Sequence, residues 1–222
     1  MRNDLKTWLT NGVGKKILLL RHGAVQVEKK NEKHFIGQMD LPLSDKGRRQ
    51  AQYWLEWLAE VPIARIIASD LSRSMETARI IAAGRSLEVT PVAGLREIHL
   101  GQWDGMSFRQ VNERWPNALR KRGMEMDRYR PPGGESFLDL QQRVVPVLEK
   151  GIEQISGNIL MVAHAGVNRV ILCHLLGMPL QNLFRIAQGC GAMNLIDRQN
   201  HGYRIQSLNL LPVGCGVDST TR

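Results

Sequence analysis

The chain has 222 residues, of which 43% are hydrophobic and 23% are charged. This composition is typical of a globular protein, and the length suffices for one sizeable core. Thirty basic residues against 21 acidic ones give a formal net charge of +9. Such a charge favours anionic partners, although a solvated basic surface explains it equally well.

Membrane insertion and secretion are both disfavoured. No window approaches ~18 uninterrupted apolar residues, the length that a spanning helix requires. The N-terminus, MRNDLKTWLTNGVGKK, carries charges where a signal peptide would need its apolar region. Three scattered cysteines, Cys173, Cys190 and Cys215, form no CxxC pair, which predicts reduced thiols and a cytoplasmic location.

Short apolar runs alternate with longer amphipathic segments along the chain. Strands are predicted at 16–20, 64–68, 87–91, 158–163, 192–196 and 203–210. Helices are predicted over 44–60, 72–83, a long segment from just after Gly133 to about 154, and 167–176, with Ser44 as a cap and Pro146 as a kink site.

Alternating strands and helices predict an α/β protein built from parallel βαβ units. We therefore expect a three-layer α/β/α sandwich, mostly parallel, in which the last two strands add an antiparallel edge. One domain is expected over 1–222, with a core at about 15–210. Residues 95–134 are interpreted as an inserted lid with one or two short helices. The first dozen residues and the tail at about 212–222 are expected to be mobile.

Basic side chains follow three of the predicted strands. Arg21 and His22 come directly after the first, "SDLSRS" after the second brings in Arg73, and His164 and Ala165 follow the strand "NILMVA". The carboxyl ends of parallel strands meet at one edge of the sheet, where ligands bind in open α/β folds. The sequence therefore predicts that two histidines and two arginines converge there.

This set of side chains suits a phosphate group. Arginine offers a planar fork of donors that matches phosphate oxygens. Glycines after the histidines allow backbone to approach closely, and helices that start after Arg73 and Gly166 would direct their positive ends to the same place. A neutral histidine in such a pocket can attack phosphorus and form a covalent intermediate. We expect its other ring nitrogen to donate to a backbone carbonyl.

Six motifs occur together in order: LLLRHG, FIGQMDLPLSDKGRRQA, ASDLSRSMETA, LREIHLGQWDG, PPGGES and MVAHAGVNR. In sequence and spacing they resemble the histidine phosphatase superfamily, in its phosphoglycerate-mutase-like branch, from about residue 16 to about 196. The resemblance implies that His22 is the nucleophile, and that Arg21, Arg73 and His164 complete the phosphate pocket. It further implies substrate contacts from Gly23, Gly37, Gln38 and Ala165.

The resemblance also implies a general acid at Glu97 in LREIHLGQWDG. Asp104 and His99 are alternative candidates for the general acid. Without the resemblance, Glu97 and Asp104 are almost equally good candidates. Many relatives continue the first motif as Arg-His-Gly-Glu-Thr, whereas this chain has Ala24 and Val25. The residues after Glu97 are closer to the phosphatases of the branch than to its mutases, which favours hydrolysis over phosphoryl transfer.

The expected reaction is hydrolysis of a small phosphorylated metabolite through phosphohistidine, without a cofactor or metal. Compact phosphatases of this branch act on alpha-ribazole phosphate in cobalamin synthesis or on sugar phosphates, and the sequence does not separate these. A basic lid suits a substrate with extra negative charge, although a solvated basic helix is as good an explanation. The lid bases are Arg114, Arg120, Lys121, Arg122, Arg128 and Arg130.

Four other interpretations stay open. Mutase-type phosphoryl transfer and an inactive module that binds phosphorylated ligands are the first two. Nucleic-acid binding is suggested by charge alone, since no recognised fold or aromatic–basic ladder supports it. A metal held by His22, His164 and Glu97 is disfavoured because two nearby arginines would repel a cation. Neither nucleic acid nor membrane is therefore an expected partner, and a monomer or homodimer is expected.

Overall fold

The computed structural model describes residues 2–11, 14–27, 32–154, 156–200 and 202–214. Within these ranges, six strands form one sheet in the order β3-β2-β4-β1-β5-β6. The strands are β1 (Lys15–Arg21), β2 (Arg65–Ala68), β3 (Val89–Pro91), β4 (Ile159–Ala163), β5 (Met193–Gln199) and β6 (Gly202–Leu210). Strands β1 to β4 run parallel, and β5 and β6 add an antiparallel edge. The predicted mixed sheet is confirmed.

Helices cover both faces of this sheet, as the three-layer prediction requires. They are α1 (Arg2–Asn11), α2 (Asp45–Trp57), α3 (Ser72–Ala82), α4 (Phe108–Arg114), α5 (Ala118–Met124), α6 (Phe137–Glu153) and α7 (Ala165–Leu176). Helix α6 continues through Pro146, and α7 begins two residues earlier than predicted. Within the described ranges, no helix combines the length and the apolar character that a bilayer span requires.

Strand β1 is buried on both sides, which explains its unbroken apolar sequence. Ile17 and Leu19 pack with α6, α7 and the predicted lid, whereas Leu18 and Leu20 pack with α1, α2 and α3. Because successive side chains point to opposite faces of a strand, β1 joins the two halves of the core. Its end is therefore a rigid place for Arg21 and the residue that follows it.

The N-terminal segment differs from the expectation of a mobile end. Residues 2–11 form α1, whose Leu5 and Leu9 are buried in the core beneath the sheet. Asn158, just before β4, donates its side-chain amide to the Leu9 carbonyl at 3.2 Å. The prediction of a mobile end was wrong because Leu5 and Leu9, at i, i+4 spacing, give α1 an apolar face that packs into the core. Of the predicted tail, residues 215–222 lie outside the described residues.

The predicted lid contains two short helices, α4 and α5, as expected for residues 95–134. Ser107 caps α4, and Gln110 returns a hydrogen bond to the Ser107 backbone in a capping box. Buried side chains from this segment, including Trp103 and Val111, join the core that α6 and α7 share. The segment is thus packed against the body of the protein, and its function as a lid stays an interpretation.

Helix α2 approaches the end of β1 closely at a pair of glycines. A Cβ atom on Gly47 would lie 2.1 Å from the Ala24 carbonyl oxygen, and one on Gly23 would lie 2.5 Å from the Gly47 carbonyl oxygen. Side chains at either position would push α2 away from the loop that follows β1.

Substitution of Gly47 by Ala is therefore expected to destabilise the protein by about 1–3 kcal/mol, the usual cost of overpacking. Gly123→Ala is the matched control, since no atom lies within 4 Å of its added Cβ and it also stands in a helix. Urea denaturation of both variants measures the effect. Equal stability of the two variants would contradict the close approach.

Candidate active site

The two predicted histidines lie side by side at the carboxyl edge of the sheet. β1 and β4 are parallel neighbours in which Arg21 pairs with Ala163, so His22 and His164 leave the sheet together. Their ring centroids are 5.0 Å apart in an edge-to-face arrangement. His164 is completely buried, and His22 keeps 5% of its surface exposed.

Arg73 bridges the two rings. It lies in the first turn of α3 and is 1% exposed. Its Nε is 3.3 Å from His22 Nε2 and 3.3 Å from His164 Nδ1. The terminal nitrogens of the guanidinium donate to the Gly37 and Met39 carbonyls, which fixes the group in place. The predicted convergence of the histidines with Arg73 is therefore present.

Hydrogen bonds assign the protons on His22. Its Nδ1 lies 2.7 Å from the Gly23 carbonyl, an acceptor, so Nδ1 carries the proton. Nε2 then accepts from Arg73 and presents a lone pair. Burial lowers the pKa of His22 well below its usual value, and the positive charges of Arg73 and Arg21 lower it further. The ring is therefore neutral at physiological pH, as the sequence predicts.

His164 is neutral for similar reasons. Burial is the main cause of its lowered pKa, followed by the repulsion that a protonated His22 would add and by the positive charges of Arg73 and Arg21. Its Nδ1 accepts from Arg73, which places the ring proton on Nε2, 3.4 Å from the Ser74 hydroxyl. Two neutral rings thus face one fixed guanidinium.

Arg21 is held from behind by residues that the sequence motifs did not indicate. Its Nη1 donates to the Gln188 carbonyl at 2.6 Å. The Gln188 side chain belongs to a buried amide cluster with Asn168 and Asn194, connected by bonds of 2.8–3.1 Å. Asn194 in turn donates to the Leu19 carbonyl of β1. Nothing in the local sequence around Gln188 indicates this function, because Arg21 is 167 residues away in the chain.

Glu97 lies at the N-terminal end of α7, beside the histidine that precedes this helix. Its Oε2 accepts from the Gly166 amide at 3.0 Å, and its Oε1 accepts from the Ile98 amide at 2.9 Å. A Cβ on Gly166 would lie 2.4 Å from Glu97 Oε1, so this approach requires glycine. The positive end of the α7 dipole favours a carboxylate in this place.

A partly buried ion pair holds the Glu97 backbone. Arg143 of α6 forms a two-point contact with Glu135, with both distances at 2.8 Å, and donates to the Glu97 carbonyl at 3.3 Å. Glu135 belongs to the PPGGES motif and accepts from the His99 amide. Gln38 also donates to the Glu97 carbonyl, at 2.9 Å. The sequence motifs did not indicate that Arg143 supports the site, although its partner Glu135 lies in the PPGGES motif.

Asp104, the competing acid, packs against Gly37. A Cβ on Gly37 would meet Asp104 Oδ1 at 1.8 Å, and this oxygen has no hydrogen-bond partner among the described residues. Burial raises the pKa of Asp104, while His99, 3.9 Å away, lowers it. The pKa of Arg73, which burial lowers, is raised more by Glu97 than by Asp104. Of the two carboxylates, Glu97 therefore acts more strongly on Arg73.

The remaining predicted contact residues line the same place. Gly23 donates its amide to Thr77 at 3.1 Å, so its amide already has a protein partner. Gly37 supplies a carbonyl to Arg73, and Ala165 is the first residue of α7. A cavity of about 440 Å³ is lined mainly by apolar residues, among them Phe35, Ile36 and Met39. Among the described residues, no group of three or more His, Cys, Asp or Glu is placed to hold a metal ion.

Comparison with known proteins agrees with this geometry. The family model for the histidine phosphatase superfamily (branch 1) matches residues 17–211. A glucosyl-3-phosphoglycerate phosphatase of Mycolicibacterium vanbaalenii is 32% identical over 84% of this chain and 85% of its own length. An adenosylcobalamin/alpha-ribazole phosphatase of Escherichia coli is 29% identical over 90% of this chain and 98% of its own length.

A solved structure shares the fold closely. The alpha-ribazole phosphatase of Shigella flexneri superposes with a TM-score of 0.79 at 27% identity, covering 88% of this chain and 96% of that one. Since the family model spans nearly the whole described sheet and both histidine motifs, the chain belongs to the histidine phosphatase superfamily, branch 1.

Proposed function

We propose that this protein hydrolyses a small phosphomonoester through a phosphohistidine at His22. The observation that carries this proposal is the Arg73 contact to His22 Nε2, which requires a lone pair on that nitrogen. A neutral imidazole with its lone pair inside a cationic pocket is suited to attack on phosphorus. Arg21, Arg73 and His164 would hold the phosphoryl oxygens as charge develops on them.

The reaction would take two steps. First, His22 Nε2 bonds to phosphorus, the bond from phosphorus to the leaving oxygen breaks, and the Glu97 carboxyl gives that oxygen its proton. Then the Glu97 carboxylate takes a proton from water as the water oxygen bonds to phosphorus. The phosphorus–nitrogen bond breaks, and its electron pair returns to Nε2. Glu97 is suited to both steps because it lies beside the α7 terminus that His164 caps.

The names of the relatives suggest a range of substrates for this protein and do not single out one. Their names specify glucosyl-3-phosphoglycerate in one case and alpha-ribazole or adenosylcobalamin compounds in another. We propose a soluble phosphorylated metabolite of one of these kinds, with alpha-ribazole phosphate as a candidate. Free, scattered cysteines support a reducing cytoplasmic setting. A monomer or homodimer without nucleic-acid or membrane partners accords with this function.

His22→Ala is expected to abolish phosphate release and to remove the acid-labile phosphoenzyme. Rapid-quench labelling with a phosphorus-32 substrate measures the intermediate, and His174→Ala, a change on the exposed side of α7, is the control. Retention of the label in the His22 variant would assign the nucleophile elsewhere.

Glu97→Gln is expected to lower kcat by roughly 100-fold or more for alkyl phosphates, the range of lost acid–base catalysis. Phosphate should still bind as a competitive inhibitor with a similar constant. Asp104→Asn is the comparison variant and should change kcat much less. A larger loss of kcat in the Asp104 variant would assign the general acid to Asp104.

The free energy of unfolding should decrease as the pH is lowered, because both histidines are neutral in the folded state. Their folded pKa values lie below the ~6.5 of an unfolded histidine, so below that pH the unfolded chain binds more protons. A histidine that is neutral in the folded state and protonated in the unfolded state changes the free energy of unfolding by about 1.4 kcal/mol per pH unit.

Urea denaturation between about pH 5 and 7 measures this slope. His164→Asn removes one titrating group and should reduce the slope by up to that increment. An unchanged slope in this variant would show that His164 is already protonated in the folded protein.

A further inference from the structure

The loop over residues 187–192, which leads into β5, contacts the end of β1 at two consecutive residues. Its Gln188 carbonyl accepts from Arg21 Nη1 at 2.6 Å. Its Gly191 amide donates to the His22 carbonyl at 2.9 Å. The place of this loop therefore fixes both the guanidinium of one pocket residue and the backbone of the proposed nucleophile.

The same loop leaves part of the Arg21 guanidinium available. Nη1 has the Gln188 carbonyl as its acceptor, whereas the buried Nε has no hydrogen-bond partner among the residues that the structure describes. A buried N–H without an acceptor is unfavourable, and a charged one gains strongly from an anion that reaches it. The loop carbonyl thus orients a guanidinium whose Nε can bind a phosphate oxygen.

Asn209 of β6 contacts this loop from an uncommon backbone conformation. Its Oδ1 accepts from the Gly189 amide at 2.8 Å, and its own amide donates to Asn194 Oδ1 at 3.0 Å. Its φ angle is 52°, in the left-handed region that residues with a side chain rarely adopt, Asn and Asp most readily. A conformation of this kind persists only where the surrounding structure requires it.

An irregularity in the pairing of β5 with β6 accompanies this conformation. Met193 of β5 pairs with Leu210 of β6. Two residues further along β5, Leu195 pairs with Ser207, so three steps along β6 oppose two along β5. Bulges of this type are frequent next to active sites, where they redirect a side chain. Here the bulged segment contains Asn209, whose side chain reaches the loop.

Hydrogen bonds also connect Asn209 to the amide cluster that holds Arg21. Asn194 Oδ1 accepts from the Asn209 amide at 3.0 Å and from Gln188 Nε2 at 2.8 Å. Asn209 thus supports Gln188 by two routes, through the adjacent Gly189 amide and through this shared oxygen atom.

We propose that Asn209 is a positioning residue for the reaction, holding the 187–192 loop where the Gln188 carbonyl orients Arg21 toward the phosphate. This inference rests on the proposed function and deepens it, because Asn209 acts through Arg21 and not on the reacting atoms. Asn, Asp and Gly suit the left-handed conformation. Of these three, only Asn and Asp can accept from the Gly189 amide.

Substitutions at Asn209 separate the acceptor from the backbone conformation. Asn209→Gly keeps the left-handed conformation and removes the acceptor, whereas Asn209→Asp keeps both. Asn117→Gly is the matched control, because exposed Asn117 is also left-handed, at φ 67°, and its side chain caps no amide within the described ranges. We measure the inhibition constant of inorganic phosphate and kcat/KM for p-nitrophenyl phosphate at physiological ionic strength, which screens the added Asp charge. Urea denaturation shows whether each variant is folded.

Asn209→Gly should weaken inhibition by phosphate about three- to tenfold and lower kcat/KM by a similar factor, the range of one lost hydrogen bond. Asn209→Asp and Asn117→Gly should each stay within about twofold of the wild type. A folded Asn209→Gly protein with phosphate inhibition within about twofold of the wild type would overturn the proposal, even if its stability fell.

The aspartate variant keeps the test decisive if Asn209→Gly does not fold. Weakening of phosphate inhibition by more than about twofold in folded Asn209→Asp would show that the acceptor is not the cause, and would also overturn the proposal. Failure of the proposed function gives a different result, since the wild type would then form no phosphohistidine in the rapid-quench assay.

Discussion

The site depends on one guanidinium that donates to two neutral imidazoles. Arg73 Nε lies 3.3 Å from a nitrogen of each ring, and both contacts require a lone pair on the histidine. Burial among positive charges keeps the rings unprotonated, so the arginine supplies charge and the histidines supply lone pairs. A protonated ring at either position would face Arg73 with a donor and lose the contact.

This arrangement is maintained by hydrogen bonds from neighbouring residues. Glycine carbonyls fix Arg73 and orient His22, a buried amide cluster holds Arg21 through Gln188, and Arg143 holds the backbone at Glu97. Each of these supports comes from a different part of the chain. The pocket is consequently rigid before substrate binds, which is the condition for electrostatic stabilisation of a transition state.

The proposed site draws on two parts of the fold. The two histidines follow the ends of parallel strands, where the core fixes them, whereas Glu97 belongs to the segment inserted between β3 and α6. Such segments vary without disturbing the sheet, so one phosphoryl-transfer site can serve different substrates.

The sequence by itself determined the alternation of strands and helices and the residues at the strand ends, because hydrophobic periodicity and motif spacing are local properties. The sequence also indicated that Glu97 and Asp104 are the two carboxylates that could act as the general acid. Tertiary structure decided which imidazole nitrogen holds a proton, that Asn209 contacts the Gly189 amide, and that Leu5 and Leu9 bury the first helix. It alone revealed Gln188 and Arg143 as supports. Apart from the Gly23 carbonyl beside His22, these features depend on contacts between residues far apart in the chain, which local sequence patterns do not contain.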